Sequence, residues 1–444
     1  MELCNIADII LTKGFLLMKR NALVAQSGGP SPVINASLQG VIEACFACPD
    51  HIGKVYASWH GIEGVLLEEL IDMGLQPPDE IKRLRMTPAA GSIGTCRYKL
   101  KDEQAEDFDR IIDVFRAHDI GYFFYIGGND SMDTASKVSK LARERGLELV
   151  VAGVPKTIDN DIGDDRFTII DHTPGYGSAA RYWAYLIQNL NEENRGMCVS
   201  ESVSVIQAMG RRSGYITAAA RLGDPDREMP LQLYMAESGH NLESLAENVN
   251  RQLVRSGRCM VVVNEGFDVG NLGEARDDFG HVEYGASQTN ASQVVTNYLN
   301  KVGLKARGQV TGQLPGVLQR SASIHTSKVD LDEAYEVGKK AVEMAIVEGT
   351  GWMATILRAP GKDYRAIFDK VSLELVANSE RFIPKEWITS DGIDVTDDFI
   401  KYATPLIGGG WPEIDLEKGL QRFARLDIRF VDKRLGSYVP QRLR

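Results

Sequence analysis

Short, wholly apolar runs alternate along this chain with longer stretches in which apolar residues recur at helical spacing. The runs "ALVAQ", "KVYASW", "GYFFYI", "LELVVAGV", "VSVIQAM" and "CMVVVN" predict strands. They show no wet face, which is the pattern of parallel strands covered on both sides. Between them, "SLQGVIEACFACPD", "DEQAEDFDRIIDVFRAHD", "SMDTASKVSKLARERG" and "SAARYWAYLIQNLNEE" predict helices. Such alternation predicts an α/β protein of two three-layer lobes with a cleft between them. After Glu333, "DEAYEVGKKAVEMAIVEG" predicts a helix and "GWMATILRAP" a strand. From about Asp363 turn signals dominate, and this last portion reads as an appended region without chemistry of its own. The expected division is an N-terminal extension over 1–17, lobes over 18–165 and 166–332, and a C-terminal portion over 333–444 that completes the lobes. The extension is a poor signal peptide, and Met18 reads as the natural start.

In open α/β sheets ligands sit at the carboxyl ends of the strands, so the segments after the predicted strands carry the interest. "VPKTIDNDI", Val154–Ile162, follows one of them and places Lys156, Asp159 and Asp161 within six residues. If extended, it turns Thr157, Asp159 and Asp161 to one side. Two carboxylates on one face repel unless a cation, a proton or a ligand intervenes. "QSGGPSPVINAS", Gln26–Ser37, is a glycine loop leading into a helix, suited to an anion, but it matches neither GxGxxG nor a Walker loop. "YIGGNDSMDTASKV" places Gly127 and Gly128 before a helix that Asp130 or Ser131 can cap. A carboxylate at Asp130 is at odds with a phosphate cradle, unless exclusion is its purpose.

Composition narrows the partners. The length of 444 residues allows two or three domains, and 43% apolar with 25% charged residues is ordinary for a soluble globular chain. A net charge of −11 argues against nucleic acid and against a polybasic membrane surface. No apolar run approaches the length of a membrane span. Cys45 and Cys48 form a CxxC inside a predicted helix, with no second pair or histidine couple to make a zinc site. They read as two buried helix cysteines, reduced as in a cytoplasm.

Taken together, "SGGPSPVIN", "GTCR", "GGNDS", "PKTIDND", "MGRRSGY", "NEGF" and "PGVLQRS", in this order over roughly residues 18–345, resemble the phosphofructokinases. The resemblance implies two Rossmann-like lobes, magnesium-dependent phosphoryl transfer to the 1-hydroxyl of fructose 6-phosphate, and a homodimer or homotetramer. By that likeness Asp159 is the catalytic base, and Thr157, Ile158, Met209, Gly210, Arg211, Glu265, Arg307 and Arg320 bind the sugar phosphate. Gly29, Arg97, Gly128, Asp130, Ser131 and Lys156 take the donor, with Asp130 and Lys156 also acting in catalysis, and Asn129 and Asp161 serve the metal. ATP-using relatives typically carry glycine at Asp130 and Lys156, whereas pyrophosphate-using ones resemble this chain at both. Ile62 stands at the position of the adenine-stacking tyrosine of the ATP-using relatives. Pyrophosphate is therefore the expected donor; the competing readings are an ATP-dependent enzyme, a non-catalytic regulatory subunit and, last, a NAD or lipid kinase. An arginine that bacterial relatives lend across subunits falls near Ser202, which removes it here.

Overall fold

The computed structural model describes residues 19–101, 103–277, 280–377 and 379–444. The proposed extension and Met18 lie outside them. In chain order the strands are β1 (Arg20–Gln26), β2 (Ile52–Ser58), β3 (Leu70–Asp72), β4 (Ile120–Gly127), β5 (Val150–Pro155), β6 (Val203–Ala208), β7 (Leu231–Tyr234), β8 (Cys259–Asn264), β9 (Val310–Gln313), β10 (Trp352–Arg358) and β11 (Ala366–Ser372). One main sheet runs β11-β10-β5-β4-β1-β2-β3 and the other β7-β8-β6-β9, and a short antiparallel pair joins Leu416–Glu417 to Leu420–Gln421. The second is parallel throughout; the first is parallel except at its edges, where β3 and β11 run antiparallel to their neighbours.

The principal helices are α1 (Ile34–Phe46), α2 (Ala105–Ala117), α3 (Asn129–Glu144), α4 (Tyr176–Met197), α5 (Leu242–Ser256), α6 (Ala291–Val302), α7 (Lys328–Glu348) and α8 (Asp397–Ile407). In the first lobe the period-two alternation of each strand feeds two separate cores. Ala22 and Val24 of β1 pack with Ile34, Leu38 and Val41 of α1 and with Val337 and Ala341 of α7. Leu23 and Ala25 pack on the opposite face with Ile111 and Phe115 of α2 and Met132 and Val138 of α3. The second lobe repeats the plan, with Ile206 of β6 facing Trp183 of α4, and Val205 facing Leu245 of α5 and Val295 of α6. Both faces of the interior strands are largely dry, which is why those strands read as apolar runs.

Three details depart from the sequence reading. Helix α7 begins at Lys328 and packs on α1, so residue 333 falls inside an element of the first lobe rather than at a boundary. Helix α1 ends at Phe46, so only Cys45 of the cysteine pair is helical; Cys48 lies in the following turn, and both are buried and free. Among the described residues, no three His, Cys, Asp or Glu side chains gather as a metal cluster, and no helix is long and apolar enough to cross a membrane.

The C-terminal portion is woven through both lobes. Strands β10 and β11 extend the first sheet. Helix α8 then packs Phe399, Ala403 and Leu406 into the second lobe's core beside Trp183. The tail returns to the first lobe, where Glu68 accepts from the backbone amides of Arg434 (2.5 Å) and Leu435 (3.2 Å), and Asp107 accepts from Tyr438 Oη (2.6 Å).

Candidate active site

The strands of both sheets direct their carboxyl ends into one cleft of about 770 Å³. The first lobe supplies the loops after β1, β4 and β5, and the second those after β6, β8 and β9. Of the residues singled out in the sequence, Gly29, Arg97, Gly128, Asn129, Asp130, Ser131, Lys156, Thr157, Ile158, Asp159, Asp161, Met209, Gly210, Arg211, Glu265 and Arg320 all line it. Arg307 does not: it is exposed before β9 and outside the cleft. Ile62 is also absent from the lining, being fully buried in the first lobe's core, so it forms no part of a base-binding wall. Ser202 is buried as well, its hydroxyl without a partner.

The loop after β5 is not extended as its alternation suggested. Thr157 bridges to Gly175, the chain bends through Ile158 and Asp159, and Asn160 takes φ +58°. Asparagine tolerates this left-handed conformation better than most residues. The Asp159 amide donates to Thr157 Oγ1 (3.1 Å), and Arg211 Nε lies 3.9 Å from Asp159 Oδ2. Asp161 is deeper. Burial first, then the neighbouring Asp159 charge, push its carboxyl up to about 7, and its Oδ1 is buried with no protein partner.

Lys156 is buried and its ammonium donates to Gly29 O (2.6 Å). Burial, reinforced by the cations of Arg320, Arg211 and Arg97 and opposed by Asp159, brings its pKa down to about 7. A Cβ at Gly29 would stand 2.9 Å from Arg320 Nη1 and 3.6 Å from Arg97 Nη2, so a larger residue there would push the tip of the Arg320 side chain aside. The Arg320 guanidinium has no hydrogen-bond or ion-pair partner among the described residues. Arg97 is held by Asp277, with Glu283 3.5 Å away.

Asp130, in the first turn of α3, is paired. Lys99 Nζ lies 3.0 Å from its Oδ1 and His281 Nε2 lies 3.7 Å from its Oδ2. The ring of His281 also meets Arg211, with Nδ1 3.0 Å from Nη1. Across the cleft, in the second lobe, Glu265 accepts from the amides of Gly210 (3.1 Å) and Arg211 (2.9 Å), and burial raises its carboxyl to about 7. That contact shapes the turn in which Gly210 has φ +130°. The Met209 amide donates to Gln319 Oε1 (2.9 Å), which also takes the indole N–H of Trp183 (2.9 Å).

The sequence reading missed Lys99, Asp277, His281, Glu283 and Gln319. Lys99 lay two residues beyond a motif that was read, and Gln319 stood inside one; the other three sit in a polar loop, "ARDDFGHVEYGA", with no periodic signal. It also missed the C-terminal segment at Ser379–Arg381. Ser379 O accepts from the Asn129 amide, its Oγ accepts from Gly163 N (3.2 Å), and the Arg381 amide donates to Asp161 O (2.7 Å). The portion read as free of chemistry therefore touches both aspartate-bearing loops.

Comparison with known proteins agrees with this geometry. The family described as phosphofructokinase matches residues 21–345. A pyrophosphate–fructose 6-phosphate 1-phosphotransferase of Halomonas elongata is 39% identical over 436 residues, covering 95% of this chain and all of that protein. One from Methylococcus capsulatus is 40% identical over 400 residues, covering 88% and 92%. The crystal structure of a pyrophosphate-dependent phosphofructokinase from Marinobacter aquaeolei superposes with a TM-score of 0.84 at 39% identity, covering 95% of this chain and 99% of that one.

Proposed function

The chain belongs to the phosphofructokinase family, and from that premise we propose that it transfers a phosphoryl group from pyrophosphate to the 1-hydroxyl of fructose 6-phosphate. The observation that carries the donor assignment is the pair of charged side chains in the cleft: a buried ammonium at Lys156 and a carboxylate at Asp130 in the first turn of α3. Relatives 37–40% identical over most of their length bear the same activity in their names.

Phosphoryl transfer asks the protein for alignment and charge stabilisation more than for covalent chemistry. Asp159 accepts the proton of the sugar hydroxyl as that oxygen bonds the transferred phosphorus. The bond to the bridging oxygen of pyrophosphate breaks, and orthophosphate leaves. Arg97 and Lys156 stabilise the charge gathering on donor and leaving group, Arg320 joins the clamp on the sugar's 6-phosphate, and Arg211, 3.9 Å from Asp159, bonds that phosphate or guards the transferring group. Glu265 accepts hydrogen bonds from sugar hydroxyls, and Met209 packs on the ring. Arg307 lies too far out to join this chain's clamp.

The residues present fit a magnesium ion. Asp161 keeps a buried carboxylate oxygen without a partner and a carboxyl pushed toward neutrality, both of which a hard cation relieves. Asp161 would hold it with the side-chain oxygen of Asn129, whose amide nitrogen is committed to Ser379 O. When bound, the ion neutralises phosphate charge. The reading extends to a reversible glycolytic step in the cytoplasm, carried out by a homo-oligomer, dimer or tetramer.

Purified protein supplied with fructose 6-phosphate and either donor, with bisphosphate product detected through aldolase and a NADH-linked enzyme, tests the assignment. Turnover is expected with pyrophosphate and not with ATP. Turnover with ATP alone would remove the donor assignment, and inactivity that only a second, aspartate-bearing subunit restores would turn the chain into a regulatory partner.

A further inference from the structure

We propose that Arg381 is a positioning residue for phosphoryl transfer, the group that fixes the loop carrying Asp159 and Asp161. The inference rests on the function proposed above and deepens it.

The side chain of Arg381 is fully buried. Its Nε donates to Asn160 O (3.0 Å). Nη1 donates to Ile170 O (2.7 Å) and Asp171 O (3.2 Å), and Nη2 to Asn160 O (2.9 Å) and Asn160 Oδ1 (2.8 Å). Its own amide donates to Asp161 O (2.7 Å). The guanidinium plane lies over Phe167, 4.6 Å from the ring centroid, and near Tyr215 at 5.5 Å. Every side-chain acceptor is a neutral oxygen; no carboxylate pairs with this cation among the described residues.

A buried cation without a counter-charge is a poor device for stability, since burial of ionic groups is costly and apolar replacements are often neutral or better. What a guanidinium does that an apolar side chain cannot is hold several oxygens at once in a fixed fork. Here the fork grips Asn160, the residue between the two aspartates, in the left-handed conformation that makes the bend. The Asn160 side chain is locked from its other end as well: Nδ2 donates to Tyr402 Oη (2.9 Å) and Oδ1 accepts from Thr173 N (3.0 Å). The positive charge also favours the charged form of Asp161, which the neighbouring Asp159 carboxylate opposes. Arg381 thus sets the direction in which Asp159 faces the cleft without touching substrate. No motif in the chain marks it, because it comes from the turn-rich C-terminal portion, more than two hundred residues downstream of the loop it holds.

The test uses the full-length protein with Arg381→Ala and Arg381→Lys, assayed on whichever donor the wild type uses, so inactivity of the wild type counts against the proposed function and not against this inference. A displaced base costs rate more than binding: kcat of either folded variant is expected to fall roughly 100-fold, with KM for both substrates changing by no more than about threefold. Added guanidinium ion is expected to recover at least ~10-fold of kcat in Arg381→Ala by refilling the site, and none in the wild type. Arg381→Lys keeps the charge but not the fork, so it should stay impaired. A folded variant with kcat near wild type would overturn the inference. So would a loss confined to KM, or an impaired Arg381→Ala indifferent to guanidinium. Should neither variant fold, Arg381 is a folding residue and the assignment fails on that ground.

Discussion

Lys156→Met removes one ammonium and leaves a chain of similar length in the same buried slot. Its cost follows from the site. The amine is dry, hydrogen-bonded to Gly29 O, and crowded by three arginines that it can repel less only when a phosphate anion arrives. Preorganised donors in such sites are worth about 3–4 kcal/mol in the transition state, so kcat/KM for pyrophosphate should drop ~10²–10³-fold. The same crowding gives a pH signature. Burial and like charge place the Lys156 pKa at about 7, so the free enzyme carries this charge below that pH and loses it above. The profile of kcat/KM for pyrophosphate, which reports the free enzyme, should therefore have a descending limb near 7 in the wild type. Ionisation of the substrate itself is common to both proteins, so the wild-type to Lys156→Met ratio isolates the lysine. That ratio should be large at pH 6 and shrink toward pH 8.5. A ratio flat with pH, or a variant retaining more than about a tenth of wild-type kcat/KM, would refute the assignment of a charged Lys156 to the donor.

Asp159→Asn should cut kcat by roughly 10³-fold while KM for fructose 6-phosphate stays within about threefold, the mark of a lost general base measured by steady-state kinetics. Asp130→Gly removes a carboxylate that would repel an α-phosphate, but the existing Lys99 pairing at 3.0 Å screens much of the repulsion. The full Coulomb figure of ~4 kcal/mol at 4 Å is thus an upper bound, and a gain of roughly 5–30-fold in kcat/KM for ATP is expected in the linked assay. No gain, even with Lys156→Gly added, would dismiss Asp130 as the barrier. His172 is buried between Asp171 (2.9 Å) and Glu333 (2.7 Å). Burial opposes its charge, yet the two carboxylates prevail and hold its pKa up at about 9. A raised folded-state pKa stabilises most below the unfolded value near 6.5 and loses that stabilisation as pH climbs through 9. His172→Gln should therefore lower the urea unfolding free energy by about 3 kcal/mol more at pH 6 than at pH 10; an equal loss at both would exclude a charged histidine.

The strands that could be read from the chain were those inside the sheets: β1, β2, β4, β5, β6, β8 and β10. The four that were not, β3, β7, β9 and β11, are the outer edges of the two sheets. An edge strand has one neighbour instead of two and less need of an apolar run; "VTGQ" and "AIFDKVS" carry no such signal. The cleft was legible for a related reason. Most of its legible residues follow directly on interior strands, so a motif and its strand are read together; Arg97 and Arg320 are the exceptions. Lys99, His281 and Arg381 reach the site from irregular segments, where only the folded geometry brings them near. Arg307 differs in the opposite sense, having the expected residue type in the expected order but an exposed position beyond this chain's cleft. Asn160 went unnoticed because a single asparagine between two aspartates looks like part of an acidic loop, although its dihedral and side-chain contacts make the bend.

The path of the C-terminal chain, from one lobe to the other and back, bears on when during its synthesis the protein can become an enzyme. Both aspartate loops and both sheets of strands β1–β9 leave the ribosome well before Ser379 and Arg381 do. Until those residues emerge, the nascent polypeptide can hold sugar phosphate and donor motifs in nearly complete form yet lack the brace beneath its base. Catalytic competence on this view arrives only once the segment at 379–381 has docked on the aspartate loop, and a nascent chain stopped short of it would be assembled in outline but idle.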